Sequence, residues 1–199
     1  MKQTSWTVQD VITTALLSAL LIVMQLAINM ICMLNHFVSM TLSVGISVFI
    51  CAPVYFLMVQ RVGKRGVSFV YMTLLGVLFL MMGNWYLLPY YVGIGLICEA
   101  ILWKQASYQN PRRLTVAWTV SSLLFNGTNV LPIWFFWKTY YAFAVSSGMK
   151  QEYIDAYLRY FTVPGWVIFI VVFTTVCGFA GSLAASKLTK KHFKKAGVL

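Results

Sequence analysis

The sequence predicts an all-α polytopic membrane protein with six transmembrane helices and both termini cytoplasmic. Three observations predict it. Of the 199 residues, 60% are hydrophobic and only 10% are charged. The apolar residues fall into runs of roughly 20, the length a helix needs to cross a bilayer. The basic residues gather between alternate runs, the asymmetry that keeps positive loops inside. Almost no sequence is left for a soluble domain, and there is no G-x-x-x-x-G-K-[ST] phosphate loop. Any ATP hydrolysis must therefore come from a partner. The net charge of +11 does not indicate nucleic acid, because the cations fall between hydrophobic segments.

The whole chain reads as a single membrane domain, residues 1–199, with helices over residues 8–33, 37–60, 67–82, 85–103, 114–137 and 161–186. Helix one is too long for a signal-peptide core and lacks a small-residue cleavage site after it, so it is expected to stay in the mature chain. Ala15 and Ala19 lie one above the other on its face, with Leu16, Leu17, Leu20 and Leu21 round the other side. Such a pair lets another helix approach closely in a membrane, either a partner's or one of the same subunit. Helix two carries Pro53, which is expected to kink it. Helices three and four are separated only by the tight Gly83-Asn84 turn. Helix five carries Ser122, Asn126 and Asn129 within about 60° of one another, taking the helical period. Helix six has a second small-residue patch, Gly178, Gly181, Ser182 and Ala185, toward its cytoplasmic end. The connection 138–160 is the one sizeable loop, and within it Lys150 to Arg159 has the spacing of a short amphipathic helix with Tyr153 and Tyr157 on one face.

Orientation follows from the cations. With the N-terminus inside, Lys2, Arg61, Lys64, Arg65, Lys104, Arg112, Arg113, Lys187, Lys190, Lys191, Lys194 and Lys195 are cytoplasmic, while Lys138, Lys150 and Arg159 are outside. The Lys187 to Lys195 cluster is placed to rest on anionic lipid headgroups.

The expected outer side is rich in aromatics. Trp85, Tyr86, Tyr90 and Tyr91 open helix four, Trp134 to Trp137 with Tyr140 and Tyr141 close helix five, and Tyr153, Tyr157, Tyr160 and Phe161 lead into helix six. Two readings stand. One is an interfacial aromatic belt, and the other is an aromatic-lined pocket with a lid. Polar groups inside a span need partners or a function. Gln25 and Asn29 on helix one, Asn84, and Asn126 and Asn129 on helix five either bond between helices or converge on a solute. The residues expected to bind solute are Asn29, Asn84, Trp85, Tyr90, Asn126, Asn129, Trp134, Trp137, Lys138 and Tyr140. Lys138 pairs with an anionic group on the solute or snorkels to the interface.

Glu99, well within a span, is either a functional group or, the favoured reading this close to the cytoplasmic end, one half of an ion pair with Lys104 or Arg112. Cys32, Cys51, Cys98 and Cys177 lie in apolar runs without C-x-x-C spacing and read as small buried residues. His36, flanked by Met30, Met33 and Met40, leaves a haem or metal ligand role open, though no metal set or cofactor site is expected. No nucleophile, base and oxyanion site assembles, so the chain is not expected to be an enzyme.

At this point the chain resembles the substrate-binding S component of an energy-coupling factor (ECF) transporter, and within that group the Trep-Strep type. The residues that carry the resemblance are Ala15 and Ala19, the kinked second helix with Pro53-Val54-Tyr55, and the basic turn Arg61-Val62-Gly63-Lys64-Arg65-Gly66. The resemblance implies a prokaryotic plasma-membrane protein. It implies docking of Ala15 and Ala19 on a transmembrane T component that carries two cytoplasmic ATPase subunits. It implies solute capture outside, between helices four to six and the outer loops, and toppling to release solute inside. The expected solute is a small micronutrient such as a vitamin, a cofactor precursor or a porphyrin. The alternative is a self-sufficient secondary transporter or channel, which would want internal repeats and an ionisable relay near the midplane.

Overall fold

The computed structural model describes residues 5–189, which are helical throughout apart from short connections. Lys2, Lys190, Lys191, Lys194, Lys195 and His192 lie outside the described residues, so the expected headgroup cluster is represented only by Lys187.

Helix α1 (Val8–Cys32) starts at a reciprocal cap. The Thr7 side chain accepts from the Asp10 backbone N–H, and the Asp10 carboxylate accepts from that of Thr7. Asp10 also pairs with Lys64, and the Trp6 indole donates to the Arg65 carbonyl at 3.0 Å, so the start of α1 is tied to the next basic turn. Helix α2 (Ser43–Val62) follows a π-helical turn over Val38–Leu42 and stops at Gly63, whose φ of 60° suits a residue without Cβ. Then come α3 (Val67–Met81), α4 (Leu87–Ile101), a 3-10 turn at Gln105–Gln109, and α5 (Pro111–Phe125), capped by Asn110 with Pro111 as its first residue. The remainder is α6 (Gly127–Phe135), α7 (Trp137–Ser146), α8 (Gln151–Thr162) and α9 (Pro164–Leu188).

Six of these pack side by side in the order α1, α2, α9, α5, α4, α3 and back to α1, with α2 also reaching α3 and α5. Successive spans alternate in direction along the chain, so within the ring α2 runs parallel to α9 and α1 to α3, and the other neighbours are antiparallel. One end therefore collects Trp6, the Arg61–Arg65 turn, the 3-10 turn and the end of α9. The other end collects the close of α1, the π turn, Asn84 and the break after α5. Helices α6, α7 and α8 cover this second end. At the centre, the Tyr55 ring stacks on Trp118 at 4.4 Å, and the Trp118 indole donates to the Val48 carbonyl at 3.0 Å.

The structure departs from the expected helix list in three places. The fifth expected helix, 114–137, is broken: α5 ends at Phe125 and α6 begins at Gly127. The Tyr90 ring occupies the space where a Cβ on residue 127 would stand, 2.1 Å from its hydroxyl, and that hydroxyl donates to the Leu124 carbonyl at 2.6 Å. The connection 138–160 is not a loop but the helices α7 and α8, joined through Gly148 at φ 71°. Ile154, Tyr157 and Phe161 form the buried stripe of α8 at helical spacing. Finally, among the described residues only α1, the continuous helix Val38–Val62 and α9 are long and apolar enough to cross a bilayer by themselves. Helices α3, α4 and α5 have 15 residues each, about 22 Å at the α-helical rise, against roughly 30 Å of hydrocarbon.

Glu99 does not pair with Lys104 or Arg112. Its carboxylate accepts from the backbone N–H groups of Gly66 (2.9 Å), Ser68 (3.0 Å) and Phe69 (3.4 Å), and from the Tyr108 hydroxyl. Three amide donors at the start of α3 would otherwise lack partners, and the positive end of the helix adds to their pull on an anion. The same carboxylate joins α4, α3 and the 3-10 turn at the basic end.

The two small-residue patches have opposite surroundings. Gly178, Gly181, Ser182 and Ala185 are all buried between α9 and its neighbours. On α1 the buried positions are Thr14, Ser18, Leu21, Gln25 and Cys32. Ala15 and Ala19 lie about 90–130° round the helix from that stripe, and both are exposed beside Leu16 and Leu20.

Candidate functional site

Beneath α7 and α8, at the end of the ring away from Glu99, lies a cavity of about 500 Å³, within the 300–1,000 Å³ common for small-molecule sites. Each surrounding element contributes for a local reason. Late in α1, Gln25 and Asn29 continue the stripe that Thr14 and Ser18 begin. The π turn adds one residue to its helical turn, which brings Ser39, Met40 and Ser43 round to the cavity. The Ser43 hydroxyl donates to the Ser39 carbonyl at 2.6 Å, which satisfies an acceptor that the widened turn exposes. Ser47, one turn on, also lines the cavity. Its Oγ is buried without a hydrogen-bond partner.

The far walls come from Phe79, Met82, Asn84 and Tyr91, and from Phe125, Thr128, Asn129 and Pro132 round the α5–α6 break. Phe79 and Tyr91 stack at 5.4 Å, and the Tyr91 hydroxyl shares a 2.7 Å hydrogen bond with Thr128. Tyr140, Met149, Tyr153 and Tyr157 from α7 and α8 form the cover. Tyr157 is anchored by donating to the Asn129 carbonyl at 2.6 Å, and its ring lies 4.9 Å from that of Tyr140. Burial raises both phenols above the ordinary tyrosine range, so each keeps its proton and stays neutral.

Of the residues expected to bind solute, Asn29, Asn84, Asn129 and Tyr140 come together on this cavity. The other six do not. Asn126 is buried at the helix break, where its amide donates to the Leu123 carbonyl at 2.9 Å and its Oδ1 accepts from Thr174 at 3.3 Å. Tyr90 fills the space beside Gly127. Trp85 is exposed, with its ring against Tyr86 and Phe136. Trp134 is exposed and donates to the Phe161 carbonyl at 3.3 Å. Trp137 packs on Tyr140 and Tyr141, and Lys138 is exposed.

The expected set lacked Gln25, Tyr91, Tyr153 and Tyr157, which the sequence marks as polar or aromatic, and also Ser39, Ser43, Ser47 and Thr128 with Met30, Met33, Met40, Met82 and Met149. Serine and methionine are ordinary inside apolar spans, so no sequence signal separates these from packing residues. His36 packs edge-on against Tyr153 at 5.8 Å and is not part of the cavity wall. Among the described residues no group of three or more His, Cys, Asp or Glu side chains is placed to hold a metal ion.

In comparisons with known proteins, one family matches, described as a hypothetical bacterial integral membrane protein (Trep_Strep), over residues 8–195. Neither the curated proteins nor the solved structures contain a match.

Proposed function

Because the chain belongs to the Trep_Strep family of bacterial integral membrane proteins and crosses the plasma membrane several times, we propose that it is the solute-capture subunit of an ATP-driven importer of the energy-coupling factor kind. The observation that carries this is the cavity: closed over by α7 and α8, set at one end of a helix ring, and lined by apolar walls with a few amides and hydroxyls. In this reading all six ring helices cross the bilayer, with the three 15-residue helices continued by their flanking segments. The cavity end faces outward, and the basic end faces the cytoplasm. Met and aromatic side chains hold the body of a micronutrient, and Asn29, Asn84, Asn129 and Ser47 orient it. The chain is not itself an enzyme. A transmembrane T component meets α1 at Ala15 and Ala19, and two cytoplasmic ATPase subunits supply the energy.

Two measurements test this. Ser47→Phe places a ring in the cavity at a position that already points into it. Protein purified in nanodiscs is expected to release a small molecule on denaturation, and Ser47→Phe is expected to hold at least tenfold less at equal folded yield. Equal release from the variant would place the solute elsewhere. For orientation, cysteine introduced at the exposed Ser147 is expected to react with an impermeant thiol reagent on intact cells, while cysteine at the exposed Ala106 reacts only after lysis. The reverse labelling would turn the molecule over and end the import reading.

A further inference from the structure

We propose that the solute is uncharged at physiological pH, with an apolar body and an amide- or lactam-type edge. This rests on the capture reading and adds the chemical class. Among the described residues that line the cavity there is no Asp, Glu, Lys, Arg or His. An ion moved from water into such a site loses its hydration and finds no countercharge, which is why buried charges are paired where they occur. The candidates nearest in sequence do not serve. Lys138, Lys150, Glu152 and Asp155 are exposed on α7 and α8 or at the bend between them, and His36 packs on the Tyr153 ring outside the wall. At the N-terminus of α6, two of the first-turn amides are already used, because Asn129 and Val130 both donate backward to the Asn126 carbonyl at 3.1 Å. A cation would want several open aromatic faces, yet Phe79 and Tyr91 each turn one face on the other, as do Tyr140 and Tyr157 in a more tilted pair, which reduces the faces left for it.

The wall's unused polar capacity indicates what does bind. The side-chain amides of Asn29 and Asn129 make no hydrogen bond to another described residue, and the Ser47 hydroxyl is buried without one. Asn84 uses its Oδ1 to accept from Tyr86 at 2.9 Å, which leaves its NH₂. Each carboxamide offers donors and an acceptor side by side. The complement of such a group is another neutral group with both functions on one edge, as in an amide, a lactam or an imide. A carboxylate or phosphate would satisfy only the donors, an ammonium only the acceptors. A site built to hydrogen-bond both strongly rejects a molecule that leaves half of it unpaired.

The test separates solutes by charge before asking which one binds. Yeast extract is passed through mixed-bed ion exchange at pH 7, giving an uncharged flow-through and a charged eluate. Each is offered to protein in nanodiscs that has been stripped of bound solute, with native mass spectrometry and thermal unfolding as readouts. A discrete mass adduct and an upward shift in melting temperature are expected with the flow-through and not with the eluate. Asn129→Asp, which puts a carboxylate in the wall, is expected to weaken the flow-through adduct at least tenfold. An adduct from the eluate alone overturns the uncharged assignment while leaving solute capture standing. An adduct unaffected by Asn129→Asp overturns the assignment to this cavity, and no adduct from either fraction overturns both the assignment and the capture reading.

Discussion

Gly181→Val is expected to lower the stability of the protein by about 3 kcal/mol or more, near or beyond the top of the usual range for overpacking. A Cβ at residue 181 would stand 2.8 Å from the Phe49 Cα and 2.8 Å from its carbonyl oxygen. Carbon atoms in good contact sit about 3.5–4.0 Å apart, so α2 and α9 would have to separate by roughly 1 Å. No side-chain rotation relieves this, because the obstacle is backbone. The location is itself determined by sequence. Pro53 has no N–H to offer the Phe49 carbonyl four residues back, and α9 passes over that uncovered stretch through Gly181, which has no side chain. Separating the two helices would also loosen Val48, which accepts from Trp118 at the centre of the ring. Gly178→Ala should also destabilise: its Cβ would meet the Ser122 Oγ at 2.3 Å and the Ser122 Cβ at 2.5 Å, and turning the hydroxyl breaks its 2.7 Å bond to the Trp118 carbonyl while leaving the Cβ contact in place. Gly93→Ala has nothing within 4 Å and should be neutral or slightly stabilising through helix propensity, worth about 0.5–1 kcal/mol. Thermal unfolding of the three variants in one detergent checks these effects. A Gly181→Val melting temperature within error of wild type would mean that α2 and α9 are not in backbone contact.

The legible parts of this molecule are those where polarity contrasts with a lipid background. Asn29, Asn84 and Asn129 stand out in apolar runs, and all three line the cavity. Helix α1 begins at Val8, where the apolar run predicts it, whereas α5 begins at Pro111 rather than at the expected 114. What stayed hidden has physical causes. Leu21 is buried and Leu20 is not, because in a bilayer the lipid-facing and protein-facing sides of a helix are equally apolar and periodicity loses its meaning. Asn126 reads as one more polar residue on a stripe, whereas its role is to end α5, a role visible only with Tyr90 and Thr174 beside it. Glu99 invites pairing with the nearest cations in sequence, yet its partners are neutral amides some 30 positions away. In the cover, the amphipathic spacing of Lys150 to Arg159 is legible and corresponds to α8, whereas α7 carries no long apolar run and between two spans resembles a loop.

Ala15→Leu and Ala19→Leu are expected to abolish transport while leaving both stability and solute retention near wild type. The structure sharpens this test. Were the alanines packed inside the subunit, like Gly181, leucine would clash and the protein would suffer. Both are exposed, however, and their neighbours Leu16 and Leu20 are 66% and 45% accessible. Leucine there meets only lipid in the isolated chain, and a lipid-facing leucine is as comfortable as alanine. The effect is therefore confined to whatever covers this face. In the proposed importer that is a helix of the T component, brought close because two small residues in line leave a groove about one turn long. Each substitution adds three heavy atoms at the point of closest approach. Overpacking of a tight contact costs about 1–3 kcal/mol, enough to reduce occupancy of the complex roughly five- to 150-fold. Solute binding should persist, since the cavity is walled on the α1 side by Gln25, Leu26, Asn29, Met30 and Met33, at least six residues further along the helix. The measurement is co-purification with the T component, beside melting temperature and retained solute, for each variant. Retained partner and retained transport would refute docking at this face. Loss of stability together with solute would mean that α1 packs against its own subunit here after all.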